Sequence, residues 1–230
     1  MNIDLKKTLA KKIANQIKDG EIVGVGTGST VEAVISEIGL RISNEGIKIS
    51  AVPSSTRTAL ALQTAGITTL TSRYSGQLAW SFDGADLVEK SSLWSLKGAG
   101  GLAMLGEKIM ATRSERFIVL ISEEKFVDKL QDVSVPIEVV PQAIEYVRRE
   151  LLKMGAKKVE LKLANEKLGP AYTESGNLVL FGDFLKISRE LNLLIKSLTG
   201  VVETGLFIGE VDEIYVGKAD GSIEHFVAQA

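Results

Sequence analysis

The chain has 230 residues, of which 45% are hydrophobic and 24% charged, an ordinary balance for a folded globular protein. Its net charge of −2 gives no electrostatic support to a general role on nucleic acid or on a membrane surface. The absence of cysteine excludes disulfides, thiol nucleophiles and cysteine-ligated metal centres, and one histidine, His225, cannot form a multi-histidine metal site.

The N-terminal segment lacks the apolar core of a signal peptide, and no run approaches the ~18 apolar residues of a membrane span. We therefore expect a cytoplasmic protein with no membrane and no nucleic-acid partner. No G-x-S-x-G elbow accompanies His225, so this residue is expected to be a solvated strand residue.

The N-terminal part of the chain alternates between helix and strand patterns. The predicted elements are helices over 4–18, 30–43 and 58–65, and strands over 21–26, 47–52 and 67–70. Such alternation predicts a parallel sheet covered by helices, with ligands beyond the carboxyl ends of its strands. The loops that follow the first two strands could meet there.

Further elements follow along the chain. Strands are predicted over 77–82, 93–96, 117–121, 211–216 and 223–227, and a helix over 102–112. Composition changes near Val135, where residues 135–141 carry a proline near each end and indicate a strand boundary. A strand–helix–strand–strand–helix pattern then predicts a small α+β unit. The predicted domains are residues 1–133 with 205–230, and residues 134–204.

The strongest local motif is G-V-G-T-G-S-T at residues 24–30, between a predicted strand and a predicted helix. Glycine lets the backbone approach a ligand closely, and a helix N-terminus presents unpaired N–H groups to an anion. We expect a phosphate there. A dinucleotide fingerprint would need glycine at Ser29, and a P-loop would need lysine after Gly28. The ordinary alternative is a tight turn in which Thr30 caps the helix.

Charged residues follow other predicted strands. Asp83 and Asp86 lie three apart across a glycine turn, a spacing that could aim both carboxylates at sugar hydroxyls or at a proton in transfer. Lys97 precedes a glycine-rich turn and could stabilise an oxyanion, while Glu107 could be a general base on a helix. Each also has an ordinary interpretation as a solvated surface residue. Together they suit a phosphorylated polyol and acid–base chemistry without a metal.

These motifs resemble those of the A-type ribose-5-phosphate isomerase family. The matching segments are residues 23–30, 83–86, 97–101 with 107–109, and 135–141, with weaker matches at 174–177 and 200–207. The resemblance implies interconversion of D-ribose 5-phosphate and D-ribulose 5-phosphate through an enediolate, in the pentose phosphate pathway, without metal or cofactor. It also implies a homodimer or homotetramer. The implied fold is a doubly wound, mostly parallel (Rossmann-like) α/β domain with an inserted smaller α+β lid domain.

The resemblance also implies the role of each site residue. Glu107 would move the proton between C1 and C2, Lys97 would polarise the carbonyl oxygen, and the two aspartates would contact the sugar and assist ring opening. The implied substrate-binding residues are Thr27, Gly28, Ser29, Thr30, Asp83, Gly84, Ala85, Asp86, Lys97, Gly98, Ala99, Gly100 and Lys125. The family separates the lysine and the glutamate by about nine residues and this chain by ten, and one extra residue within the helix would rotate Glu107 by ~100°.

Two other functions fit parts of the pattern. A non-catalytic sugar-phosphate sensor would keep the phosphate loop but could lose the lysine and the carboxylates, all of which are present here. An amino-sugar-phosphate deaminase on a similar scaffold would be expected to use a catalytic histidine, and His225 lies outside the motifs.

Overall fold

The computed structural model describes residues 3–100, 102–164 and 169–228, with only the backbone described for residues 3 and 4. The α-helices are α1 (Ile3–Ala14), α2 (Ser29–Glu45), α3 (Thr56–Thr64), α4 (Met104–Arg113), α5 (Ile144–Lys153) and α6 (Arg189–Lys196). The strands are β1 (Ile22–Val25), β2 (Ser50–Pro53), β3 (Thr68–Thr69), β4 (Trp80–Gly84), β5 (Leu87–Glu89), β6 (Ser95–Leu96), β7 (Phe117–Ser122), β8 (Phe126–Val127), β9 (Gln131–Val139), β10 (Val159–Leu161), β11 (Leu178–Lys186), β12 (Val201–Thr204), β13 (Leu206–Phe207), β14 (Glu213–Gly217) and β15 (Ile223–Val227). Short 3₁₀ turns span Glu123–Lys125 and Pro141–Ala143.

The chain divides into two compact units. Unit 1 comprises Met1–Ala85, Gly106–Phe126 and Gly209–Ala230, and unit 2 comprises Asp86–Leu105 and Val127–Ile208. The domain predicted over 134–204 lies within unit 2, but this unit also contains residues 86–105, 127–133 and 205–208, which the sequence assigned to the larger domain. The physical reason is strand pairing, because β5 pairs antiparallel with β6, and β6 with β13, inside unit 2.

Unit 1 is built on a seven-stranded sheet in the order β15-β14-β7-β4-β1-β2-β3. Its neighbours pair parallel except at the edge, where β15 runs antiparallel to β14. The central strand β7 is buried along its whole length, as its unbroken apolar run predicts. The predicted α/β class is therefore confirmed.

Alternate residues of β1 face opposite sides of this sheet. Val23 and Val25 join a core cluster that includes residues of α1, α2 and α3. Gly24 faces the other side, where a Cβ atom would lie 2.7 Å from Cγ of Met110 in α4. Helices therefore cover both faces of the sheet, and the small side chain at position 24 lets α4 pack directly onto it.

Unit 2 combines helices with antiparallel strands. One sheet has the order β10-β11-β9-β12, and a second has the order β13-β6-β5-β8. The core cluster includes Ile137 of β9, Leu151 of α5 and Ile195 of α6. Of the strand predicted over 93–96, only residues 95 and 96 form a strand, and they pair antiparallel within unit 2.

Strand β9 runs through the segment that was predicted to be a strand boundary. A proline loses its N–H but keeps its carbonyl, and the carbonyl of Pro136 accepts the N–H of Gly205 at 2.7 Å. Two residues further along β9, Glu138 is 1% exposed. Its carboxylate accepts hydrogen bonds from Thr173 Oγ1 at 2.8 Å and Asn177 Nδ2 at 2.9 Å. One buried carboxylate thereby fastens the turn before β11 to the centre of the sheet.

No helix in the described part of the chain is long and apolar enough to cross a membrane.

Candidate active site

Two hydroxyl-bearing loops meet at the carboxyl ends of β1 and β2 in unit 1, as the sequence analysis expected. Thr27 Oγ1 lies 2.9 Å from Ser54 Oγ, 2.8 Å from Ser55 Oγ and 3.2 Å from Thr58 Oγ1. Ser55 is also the N-cap of α3, since its hydroxyl accepts the N–H of Thr58 at 3.1 Å. The loop after β1 is therefore anchored to the start of the next helix.

The N-terminus of α2 follows directly. The helix begins at Ser29, and its N-cap is Gly28, with φ 125° and no side-chain capping bond. The alternative in which Thr30 caps the helix is therefore wrong. The opening N–H groups of a helix have no intrahelical acceptor, which makes a helix N-terminus suited to binding an anion. Lys6 of α1 donates from Nζ to Ser29 Oγ at 2.9 Å, which brings a positive charge to the same helix end.

Asp83 is fully buried at the end of β4. Its Oδ1 accepts the N–H of Thr27 at 3.0 Å and the N–H of Gly84 at 2.7 Å. A Cβ atom on Gly26 would lie 2.0 Å from the carboxyl carbon of Asp83. Glycine at position 26 is therefore required to make room for this carboxylate.

Lys125 is held near the same strand end, where its Nζ donates to the carbonyl of Ala85 at 2.7 Å. The 3₁₀ turn that carries Lys125 contacts the hairpin formed by β14 and β15, because Lys218 Nζ lies 2.6 Å from Glu123 Oε1. The Lys218 ammonium lowers the pKa of the Glu123 carboxyl, chiefly through this hydrogen bond.

Glu107 lies in the first turn of α4 and is 4% exposed. Its neighbour Gly106 packs on the loop after β2, where a Cβ atom would come within 2.4 Å of the Ser54 carbonyl oxygen. The helix begins at Met104, later than predicted, and the segment before it has positive φ at Gly98 (102°) and Leu102 (52°). The one extra residue between Lys97 and Glu107, relative to the family spacing, can thus be accommodated in the segment before the helix begins, without rotating Glu107 around the helix.

Unit 2 holds the remaining predicted site residues. Asp86 Oδ2 accepts the N–H of Ala99 at 2.9 Å, so this carboxylate supports the glycine-rich loop. Lys97 is 3% exposed, and its Nζ lies 5.6 Å from the centre of the Phe207 ring. The backbone beside it is close-packed, since a Cβ atom on Gly205 would lie 2.0 Å from the Lys97 carbonyl oxygen. Gly98 and Gly100 complete the described part of the loop, and residue 101 lies outside the described residues.

The structure thus brings the predicted site residues together in two groups. In unit 1 the carboxylate of Asp83 accepts a hydrogen bond from Thr27 in the loop of residues 24–30, and the helix bearing Glu107 contacts Ser54. In unit 2 Asp86 is bonded to the loop after Lys97. Sequence reasoning missed several residues that complete these groups: Lys6, Ser54, Ser55, Thr58 and Phe207. The hydroxyl run after the second predicted strand was the available signal.

His225 lies on β15, as predicted, but it is bonded rather than simply solvated. Its Nε2 is 2.8 Å from Glu213 Oε2, and its ring stacks on Tyr215 at 4.2 Å. Within the described residues, no three His, Cys, Asp or Glu side chains are grouped so that they could hold a metal ion.

The model of the family ribose 5-phosphate isomerase A (phosphoriboisomerase A) matches residues 50–221. The chain belongs to this family. It is 36% identical to ribose-5-phosphate isomerase A of Methanocaldococcus jannaschii over 227 residues, covering 96% of both chains. It is 37% identical to ribose-5-phosphate isomerase A 1 of Oceanobacillus iheyensis over 218 residues, covering 94% of this chain and 95% of that one.

Solved structures of the ribose 5-phosphate isomerase A family have the same fold. The Methanocaldococcus jannaschii structure matches with a TM-score of 0.92 at 35% identity, over 99% of this chain and all of that one. A D-ribose-5-phosphate isomerase in complex with phospho-erythronic acid also matches with a TM-score of 0.92, at 33% identity and the same coverage. The resemblance found in the sequence motifs is therefore confirmed at the level of family and fold.

Proposed function

We propose that this chain is an aldose–ketose isomerase that interconverts D-ribose 5-phosphate and D-ribulose 5-phosphate. The observation that carries the proposal is the family match over nearly the whole chain, in a sequence that also contains the acid, base and lysine residues expected of the reaction. A relative bound to phospho-erythronic acid supports a phosphorylated sugar as the ligand class. A sensor without catalysis is disfavoured because Glu107 and Lys97 are both retained and buried.

The substrate phosphate binds at the N-terminus of α2 in this proposal. Backbone N–H groups at residues 28–30, the hydroxyls of Ser29 and Thr30, and the ammonium of Lys6 supply donors and positive charge. A dianionic phosphate suits this site because it presents several acceptor oxygens. Lys125, held by the Ala85 carbonyl, contributes a further cation for the substrate.

The isomerisation is a proton transfer between adjacent carbons. With the sugar ring open, the Glu107 carboxylate removes the proton from C2 of the aldose, and the electron pair moves to form an enediolate whose charge rests on O1. A proton passes from O2 to O1, and the protonated Glu107 delivers its proton to C1, which yields the ketose with its carbonyl at C2. Lys97 stabilises the enediolate oxygen. Asp83 and Asp86 bind sugar hydroxyls and assist ring opening, and no metal or cofactor takes part.

We further propose that the enzyme acts in the cytoplasm, in the pentose phosphate pathway, as a homodimer or homotetramer. Exposed leucines on unit 2 support self-association, since Leu193 and Leu194 of α6 are 62% and 54% exposed while only their neighbour Ile195 is buried in that helix. The predicted division into a catalytic domain (1–133 with 205–230) and a lid domain (134–204) stays a prediction.

The test measures ribulose 5-phosphate formed from ribose 5-phosphate, with and without a chelator, for wild type and Glu107→Gln. We expect chelator-insensitive activity in wild type and a loss of kcat of about 10²–10⁴-fold in the variant, with KM little changed, because glutamine keeps the shape but accepts no proton. Glu115→Gln, an exposed position just after the same helix, should keep full activity.

A Glu107→Gln variant with near wild-type kcat would show that another residue is the base. A wild-type chain that binds ribose 5-phosphate without converting it would support the sensor instead.

A further inference from the structure

Four hydroxyl groups are linked by contacts of hydrogen-bond length at the loop of residues 24–30 and the loop after β2. They belong to Thr27, Ser54, Ser55 and Thr58. The last three are 9%, 6% and 3% exposed. A hydroxyl has one proton to donate and two lone pairs to accept with, so counting protons fixes the direction of each bond.

The count begins at the backbone. Thr58 Oγ1 donates its proton to the carbonyl of Gly26 at 2.6 Å. Ser55 Oγ lies 3.0 Å from Thr58 Oγ1, and Thr58 has no second proton to give, so Ser55 is the donor of that bond. Ser55 Oγ can then act only as an acceptor towards its other partners, which include the N–H of Thr58.

The directions of the remaining hydrogen bonds follow from the single hydroxyl proton of Thr27. Its Oγ1 donates to Ser55 Oγ at 2.8 Å. The contact of 2.9 Å with Ser54 Oγ must therefore be a donation from Ser54 to Thr27. The remaining contact, 3.2 Å between Thr27 and Thr58, has no free proton and is proximity alone.

We propose that these hydroxyls form a single directed hydrogen-bond chain, running Ser54 to Thr27 to Ser55 to Thr58 and ending on the Gly26 carbonyl, which holds the phosphate loop in its binding conformation. We call this set the hydroxyl chain. It assigns Thr27 as a positioning residue and not as a ligand of the phosphate. The inference rests on the proposed function and deepens it.

The backbone contacts of Thr27 support this assignment. Its N–H donates to Asp83 Oδ1 at 3.0 Å, so both of its donors are used inside the protein. The preceding residue is equally fixed, because Gly26 donates its N–H to the Phe82 carbonyl at 2.9 Å and accepts from Thr58. The peptide between Gly26 and Thr27 is thus held on both sides, and the following residues are free to present their N–H groups to the anion. Hydrogen bonds aligned in one direction polarise and strengthen one another.

The experiment is a double-mutant cycle of Thr27→Val and Thr58→Val, with Thr58→Ser as the rescue variant. Breaking either link frees the same loop, so we expect each single variant to raise KM for ribose 5-phosphate by roughly tenfold with kcat within about threefold of wild type. The double variant should be no worse than either single variant, because the two residues act through one chain. Thr58→Ser, which keeps the hydroxyl, should have a KM within about twofold of wild type.

Folding and function are separated by two further readouts. Each variant is checked for a wild-type circular dichroism spectrum, and Ser55 is left unchanged because it also caps α3. Affinity for inorganic phosphate is titrated by calorimetry in every variant, so that the hydroxyl chain is judged on binding as well as turnover. Wild type that binds phosphate without isomerising the sugar would overturn the proposed function. The hydroxyl chain would still be tested in that case, because the double-mutant cycle can be evaluated from the phosphate affinities alone.

An additive cycle, with the double variant weakened by roughly a hundredfold, would mean that Thr27 contacts the phosphate directly and would overturn the proposal. A wild-type KM and phosphate affinity in Thr58→Val would overturn it as well.

Discussion

Each glycine of the loop at residues 24–30 has a different physical purpose. Gly24 leaves room for Met110, Gly26 leaves room for the carboxylate of Asp83, and Gly28 adopts φ 125°. Only the last uses the conformational freedom for which glycine is usually noted in such loops. The motif was recognisable from the sequence as an anion loop, but Gly26 and Asp83 lie far apart in the chain and neither motif indicated their contact.

Gly106 offers a test of how the proposed base is positioned. In Gly106→Ala the new Cβ atom would meet the Ser54 carbonyl oxygen at 2.4 Å, so α4 must move away from the loop. A displacement approaching 1 Å can cost up to about a hundredfold in rate, and we expect kcat to fall by at least about tenfold. Steady-state kinetics would measure this, with Ile109→Ala as the control because that side chain is 45% exposed on the same helix.

Wild-type kcat in Gly106→Ala would show that the contact between α4 and Ser54 does not set the geometry of the reaction.

At the scale of elements, Arg41 joins the first two helices. Its NH1 group donates to the carbonyls of Ala14 at 2.6 Å and Ile17 at 2.8 Å, which satisfies carbonyls at the end of α1. We expect Arg41→Ala to lower the free energy of unfolding by about 1–3 kcal/mol, since two charge-assisted hydrogen bonds are lost. Urea denaturation would measure it.

Glu45→Gln is the matched control for Arg41. Glu45 pairs with the same guanidinium at 2.7 Å, and this hydrogen bond lowers the pKa of its carboxyl, but the pair is at the surface. Surface ion pairs contribute little to stability, so we expect this variant to unfold at nearly the same urea concentration as wild type. An equal decrease in the free energy of unfolding in both variants would mean that Arg41 stabilises the protein through its ion pair with Glu45 and not through its hydrogen bonds to the end of α1.

The sequence predicted the parallel sheet well because its strands are apolar runs separated by helices with a clear stripe. Strand β7 was predicted over 117–121 and spans Phe117–Ser122, and α2 was predicted over 30–43 and spans Ser29–Glu45. Strands β5 and β6 have three and two residues and carry no periodic pattern. They are held by partners elsewhere in unit 2. The sequence therefore indicated no strand at β5, and the strand predicted over 93–96 overlaps β6 without indicating its partners.

The same reasoning applies to the site. Thr27, Asp83, Lys97 and Glu107 stood out because each belongs to a short motif next to a predicted element. Ser54, Ser55 and Thr58 gain their meaning only when the loop after β2 is placed against the loop after β1. Residues that act by holding another residue depend on tertiary contacts. The sequence indicated that these two loops could meet, but not which of their side chains bond to each other.

At the scale of the whole molecule, the two units have separate hydrophobic clusters, which share no member among the described residues. Leu151 of α5 is fully buried in the cluster of unit 2. We expect Leu151→Ala to cost about 2–5 kcal/mol of local stability and to speed amide exchange in β9 and β11 more than in β7. Hydrogen-exchange mass spectrometry would measure it, with Leu152→Ala, 47% exposed on the same helix, as the control.

Equal acceleration of exchange in β7 and β9 would mean that the clusters unfold as one cooperative unit.

The order of strands in unit 1 has a consequence for the newly made chain. Strand β7 pairs with β14, but all of unit 2 beyond Phe126 is synthesised between them. Ribosomes add roughly 5–20 residues per second, so one edge of the mostly apolar strand β7 stays unpaired for seconds. An open, flat, apolar strand edge is a template for wrong pairing. We therefore expect this open edge to favour aggregation if translation stalls inside unit 2.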